Sequence, residues 1–291
     1  MRRRRPLVVS SVLTDAQWAR IEPLLPDRTP RRGGRWRDHR QVIDAIAWKY
    51  RTGSPWMDLP AEFGSWKGAY SRLRNWAIDG TWERVFTTLL AQADADEDLS
   101  WVVSVDSTVV RTHQHAAGAR KKGLPADEPA DHAIGRSRGG LTTKIHLAAD
   151  GNCRPLAFVL TAGQAGDAPA FTEVMARLRV PRRVGRPRIR PDMVLADKAY
   201  SSRAIREHLR RRGIRTVIPV PADQQGHRLR RGSQGGRPPA FDREAYKQRN
   251  TVERCINRLK QWRGIATRYE KTATVYLAGL HVAAIFIWSA R

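Results

Sequence analysis

The segment WVVSVDSTVV, residues 101–110, constrains this chain more than any other. It is rich in β-branched residues and nearly continuous in apolar character, the pattern of a central strand covered on both faces. Asp106 interrupts it. An ionised carboxylate in such a strand is costly unless it reaches an open edge or a cation. The fold must therefore bury this strand and still leave its centre open to a counter-charge.

The flanking sequence supplies the rest of a sheet. LTTKIHLAADGNCRPLAFVLTAG, residues 141–163, reads as two strands joined at Asp150-Gly151, a hairpin signal. Residues 168–178 have helical spacing and MVLADKAY, residues 193–200, reads as another strand. SSRAIREHLRRRG reads as a helix closed by Gly213, followed by RTVIPV as a strand. The order is β-β-β-α-β-α-β and then a helix, which predicts a mixed-sheet α/β domain. That last helix is long and starts near Tyr246, with Val252, Ile256, Leu259 and Trp262 on one face. The run VYLAGLHVAAIFIW, Val275 to Trp288, is about the length of a buried core helix and carries His281 centrally. It reads as core, so no membrane partner is expected.

Ahead of the sheet the composition changes. Seven of the ten tryptophans lie before residue 90. Thr14 with Gln17 forms a capping-box pattern, and helices are predicted from Asp38 to about Arg51 and from Lys67 to Ile78. The second of these places Tyr70, Leu73 and Trp76 at helical spacing. A small helical bundle results, its tryptophans mostly core and its arginines, Arg2 to Arg5 together with Arg28, Arg31, Arg32, Arg35, Arg37 and Arg40, the candidates for binding. ADADED, residues 92–97, reads as a linker or surface turn. The expected division is a small helical domain over 1–91 and the α/β domain over 99–291. Residues 221–243, rich in Gly, Arg and Pro, read as an exposed basic loop inserted in the second.

A formal net charge of +25 implies a polyanionic partner. Nucleic acid is favoured over membrane because the cations are mostly Arg, which forks onto phosphate, and are spread along the chain. Cys153 and Cys255 are far apart, outside any CxxC pattern, which predicts neither a disulfide framework nor a zinc site and suits a reducing cytoplasm. The apolar run in MRRRRPLVVSSVL is too short for a secretory signal.

Asp197 repeats the situation of Asp106, at the end of the apolar run MVLA, and Glu253 lies on the helix that follows. Any one of these acids, alone, is more often a cap or an ion-pair partner. Three converging in a basic protein suit hard divalent cations such as Mg²⁺, two of which about 4 Å apart would serve an in-line phosphoryl displacement. His113 and His115 lack a third nitrogen or sulfur ligand and are not read as a metal site. Ser107 and Thr108 stand outside any GxSxG elbow, which argues against a covalent serine mechanism.

Tyr246, Arg249, Glu253 and Lys260 fit the spacing Y-x2-R-x3-E-x6-K, and with VDSTVVRTHQHAAGARKKG, LADKAY and RNTVERCINRLKQWRGIATRYEKTA the chain resembles DDE transposases of the insertion sequence five family. The leading segment from Leu13 to Trp82 is similar to that group's small first domain. Ala199 stands where relatives often carry Gly. The resemblance implies an RNase H-like catalytic fold and a metal-binding triad of Asp106, Asp197 and Glu253, loaded with two Mg²⁺ ions for which Mn²⁺ can substitute. It also implies that Arg249, Lys260 and Tyr246 contact DNA at the cleaved end, and that double-stranded DNA, as terminal inverted repeats and as target, is the substrate of a homodimer or larger assembly at the bacterial nucleoid. A nuclease without strand transfer and a DNA-binding regulator with a decayed active site are the competing expectations.

Overall fold

The computed structural model describes residues 12–29, 36–118 and 128–290. Its first helix, α1 (Asp15–Ile21), carries the capping box: the Thr14 hydroxyl accepts from the Gln17 amide and the Gln17 side chain accepts from the Thr14 amide. α2 (His39–Thr52) starts on the Asp38 side chain and stops at Gly53, whose φ of 71° favours glycine. α3 (Trp66–Ile78) buries Leu73 and Trp76 but leaves Tyr70 exposed, packed edge-on against Trp56.

α4 (Thr81–Ala95) was hidden from the sequence reading. Trp82, Val85, Phe86, Leu89, Leu90 and Ala93 give it a buried stripe, and it extends through most of the acidic stretch read as a linker. Of the acids in that stretch only Asp94 lies within the helix, accepting from the Trp101 indole; Asp96 is the C-cap and Glu97 follows it.

The sheet begins with β1 (Val102–Thr112), followed by the short helix α5 (Gln114–Ala117), then β2 (Gly135–Ser137), β3 (Gly140–Ala149) and β4 (Pro155–Ala162). β3 runs antiparallel to β1 and to both β2 and β4. The turn joining β3 to β4 spans five residues, 150–154, rather than two. Asp150 fills it, accepting from the Asn152 and Arg154 amides and from the Arg154 guanidinium. α6 (Asp167–Arg177) then leads to β5 (Met193–Ala196), which is parallel to β1. α7 (Arg203–Arg211) and β6 (Arg215–Val217) complete this half, β6 being parallel to β5. The strand order β2-β3-β1-β5-β6 makes β1 central, and the result is an RNase H-like mixed α/β sheet preceded by helices.

Two expectations fail beyond β6. Residues 221–243, read as a loop, contain α8 (Ala222–Arg230) and a 3₁₀ turn at Gly232–Gly235; α8 buries none of its residues, so it has no apolar period to betray it. The single long helix from Tyr246 is divided into α9 (Arg243–Lys247) and α10 (Asn250–Lys260), with Arg249 at the cap between them. α11 (Arg263–Ala266) and β7 (Thr267–Arg268), which adds to β1, precede α12 (Ala273–Ser289). α12 is apolar all round and buried almost throughout, packing against α3, α4 and β4. No described helix is long and apolar enough to cross a membrane.

Candidate active site

The register of the sheet sets the first pair of acids. β1 and β5 are aligned Val105 to Ala196, so the next residues, Asp106 and Asp197, lie abreast. Asp106 is half-buried in the strand, and its carboxylate accepts from the Ser107 amide at 2.8 Å. Asp197 ends β5 instead of continuing it. Its carboxylate accepts from the Ala199 amide at 2.8 Å and caps a 3₁₀ turn, Lys198–Tyr200.

α10 brings the third acid to the same face. Alternation along β1 points Ser104 and Asp106 the same way, and Thr251 of α10 donates to the Ser104 hydroxyl at 3.0 Å. Glu253 is in the first turn of α10, on the exposed side. Arg249 joins it to the strand: its guanidinium donates to Asp106 at 3.1 Å and to Glu253 one turn along. Burial pushes the Asp106 carboxyl up from its ordinary pKa, with Asp197 and Glu253 adding to the effect and Ser107 and Arg249 opposing it. The three acids thus share one electrostatic site.

Lys260 closes the other end of α10, donating to the Val109 carbonyl at 3.2 Å, and burial lowers its pKa. Tyr246 lies on α9 rather than on the helix of Glu253, against Phe241 with ring centroids 5.2 Å apart and 5.9 Å from the Arg249 guanidinium. His113 and His115 meet edge to face with ring centroids 4.6 Å apart, and His113 caps α5 by accepting from the His115 amide. Among the described residues no group of three or more His, Cys, Asp or Glu is gathered into a metal cage. The donor chemistry nevertheless suits a hard cation: the three acids are oxygen ligands, and a cation, the Arg249 guanidinium, already bridges two of them.

The reverse face of β1 holds a polar cluster that sequence reasoning missed. Ser107 donates to Asp167 at 2.6 Å, Lys144 donates to Asp167 at 3.0 Å and to the Ala165 carbonyl at 2.6 Å, and His146 meets Thr161 at 2.9 Å. Burial alone would raise the Asp167 carboxyl, but the bonds from Ser107 and Lys144 outweigh it and hold it low. Burial presses His146 down to about 4. Only the sheet register, which sets Ser107 opposite His146, brings these residues together.

The arginines assigned to the leading helices divide. Arg2 to Arg5, Arg31, Arg32 and Arg35 lie outside the described residues. Arg28 pairs with Asp38, Arg37 donates to the Phe63 and Ser65 carbonyls, and Arg40 pairs with Asp15 and reaches the Leu13 carbonyl. These three hold the helices together instead of standing free.

Comparison with known proteins bears on both parts of the chain. Residues 13–86 match the family model described as putative transposase of the IS4/5 family, and residues 97–288 match that of the transposase DDE domain. An uncharacterized protein, y4sN, of Sinorhizobium fredii is 38% identical over 109 residues, covering 38% of this chain and 83% of that one. A putative transposase for insertion sequence element IS6501 of Brucella ovis is 32% identical over 148 residues, 51% of this chain and 98% of the relative. A putative transposase for IS402 of Burkholderia cepacia is 31% identical over 170 residues, with coverages of 58% and 71%.

Proposed function

This chain belongs to the DDE transposases of the IS4/5 family, and on that premise we propose that Asp106, Asp197 and Glu253 are its catalytic triad, cutting DNA at transposon ends and joining the cut end to a target. The observation that carries this reading is the abreast placement of Asp106 and Asp197, with Glu253 joined to Asp106 through Arg249. Divalent metal, Mg²⁺ by preference with Mn²⁺ able to substitute, supplies activation of the attacking hydroxyl and stabilisation of the leaving oxygen.

The residues of the chain do the positioning. Asp106 offers its oxygens from the middle of β1 and Asp197 from the end of β5, and the Ser107 amide fixes the rotation of the first. Glu253 offers its oxygen from a helix pinned to β1 through Thr251 and Ser104. Arg249 neutralises two of the acids, and its guanidinium would be free to pair with a DNA phosphate if a divalent cation held them instead. Lys260 and Tyr246 flank the same DNA end, at the far end of α10 and on α9. The leading helices recognise terminal inverted repeats through groove contacts, and two copies hold two ends.

Purified protein, end-bearing duplex, a target plasmid and Mg²⁺ should give joined products, lost on Asp106→Asn. Cleavage without joining would leave a nuclease, and full cleavage by Asp106→Asn would remove the triad.

A further inference from the structure

Beyond the edge of the sheet two adjoining hollows, of about 420 and 630 Å³, share Arg206, Arg210 and Arg237 in their walls. Together they form one groove between α7, α8 and residues 237–240, floored in part by Ile214 and Thr216 of the β6 edge. Arg203 and Arg228 complete its rim, and Glu207 is the sole acid among its lining residues.

Arg206 is structural. It donates to the Ser201 hydroxyl at 2.9 Å and to the Ile218 carbonyl at 2.8 Å, tying the groove wall to the segment after Asp197. The others are different. Among the described residues, Arg203, Arg210, Arg228 and Arg237 make no side-chain hydrogen bond or ion pair, and none of them but Arg228 is even half-buried. Four unpaired guanidinium groups around one concavity repel one another, and a polyanion is the partner that reverses the sign of that energy.

We propose that this groove is a track for the sugar-phosphate backbone of duplex DNA running past Asp197, bound without regard to sequence. The inference rests on the transposase reading for its ligand and goes beyond it in assigning a second DNA surface, apart from the residues of α9 and α10. Arg203 and Arg210 are seven residues apart on α7, about 10 Å along the helix. Measured along the duplex axis, that is the rise of about three base pairs at about 3.4 Å each, so the two guanidinium groups can meet different phosphates. Arginine suits the task because its planar fork matches phosphate in two hydrogen bonds. Ser201, on the groove wall, is four residues beyond Asp197, so a strand lying in the groove is led toward the acids.

The test compares two triple variants of the full chain: Arg203→Gln/Arg210→Gln/Arg237→Gln in the groove, and Arg179→Gln/Arg183→Gln/Arg186→Gln on an exposed stretch elsewhere. Both remove the same charge. Anisotropy of a labelled random-sequence duplex, without divalent metal, is followed over a salt series. The groove variant should bind at least about tenfold more weakly at physiological salt, its log-log salt slope reduced by about 2 to 3, and the control should change its slope by less than about 1. Equal changes in the two variants, or none in the first, overturn the groove. The duplex carries no transposon end and nothing is cut, so a chain unable to transpose would still show the groove effect. A failed groove would equally leave cleavage at the triad standing.

Discussion

The Arg249 guanidinium joins Asp106, in the centre of β1, to Glu253, one turn along α10, across 143 residues of sequence to the first and four to the second. Asp106 bears the cost of burial, and its carboxyl pKa is raised. A raised acid pKa means that the folded chain binds the proton more tightly than the unfolded chain, so ionising Asp106 lowers stability at pH values above the folded pKa. Asp106→Asn, which does not carry that charge, should therefore melt at or above the temperature of the parent at pH 7 or higher, while end cleavage falls by about 10³-fold or more, several kcal/mol of transition-state stabilisation. A large drop in Tm would show that Asp106 is a structural partner of Arg249 first.

Arg249→Gln separates charge neutralisation from catalysis. The pair is partly exposed, with about a fifth of the Arg249 side chain and nearly half of the Glu253 side chain accessible, so it is worth at most about 1 kcal/mol. Without the guanidinium, Mn²⁺ affinity measured by titration calorimetry should tighten by up to about fivefold. End cleavage should fall if Arg249 contacts phosphate as proposed. Weaker Mn²⁺ binding by the variant would show that Arg249 supports the metal site instead of competing with it.

Asp167 acts on Asp106 at second hand. It accepts from the Ser107 hydroxyl, and the Ser107 amide donates to Asp106. Ser107→Ala keeps the amide but frees the residue from Asp167, and Asp167→Asn weakens the hold of both Ser107 and Lys144. Each should lower the cleavage rate by about tenfold, the loss of roughly one hydrogen bond's worth of orientation, and each should shift the metal concentration at half-maximal rate upward. A lower rate with the metal dependence unmoved would make the cluster a packing element only.

How far the site was legible follows from how each residue is held. Asp106 and Asp197 interrupt apolar strands, and an acid in that setting is visible because burial makes it costly. Their alignment depends on a parallel register that periodicity does not encode. Glu253 has no such contrast on a helix with an exposed polar face, and only the motif spacing singled it out. Asp167 and Lys144 were invisible because the tertiary fold alone brings Asp167 of α6 to Ser107 of β1 and Lys144 of β3 to Asp167. α4 was masked by the acids at and just beyond its C-terminus and α8 by having no buried face.

Acid should weaken the fold through its buried imidazoles. His281 of α12 lies between Phe86 and Phe158, and burial, aided by the charge of Arg177, pushes its pKa down to about 3. His146 is pushed down to about 4 by burial, against the pull of Asp167. A lowered histidine pKa means that the unfolded chain takes up the proton first. The stability is complete above the ordinary value near 6.5 and is lost as pH falls from there toward 3 to 4. His281→Leu should therefore flatten the fall of Tm between pH 6.5 and 4. An unchanged slope would assign the acid sensitivity to other groups.

Lys49 and Glu270 form a buried ion pair, their side chains 3% and 4% exposed. The pair ties α2 to the segment between β7 and α12. Lys49 also lies within 4.5 to 5.7 Å of the ring centroids of Tyr50, Tyr269 and Trp56. Lys49→Met would strand a buried carboxylate, and removing one partner of such a pair costs about 3 to 5 kcal/mol. Glu270→Gln strands the ammonium and should cost a similar amount. The double variant Lys49→Met/Glu270→Gln leaves no uncompensated charge, so in urea denaturation it should be much less destabilised than the sum of the two. Additive losses would mean that the two side chains stabilise the fold through separate neighbours, the aromatic rings for Lys49 among them, and not through each other.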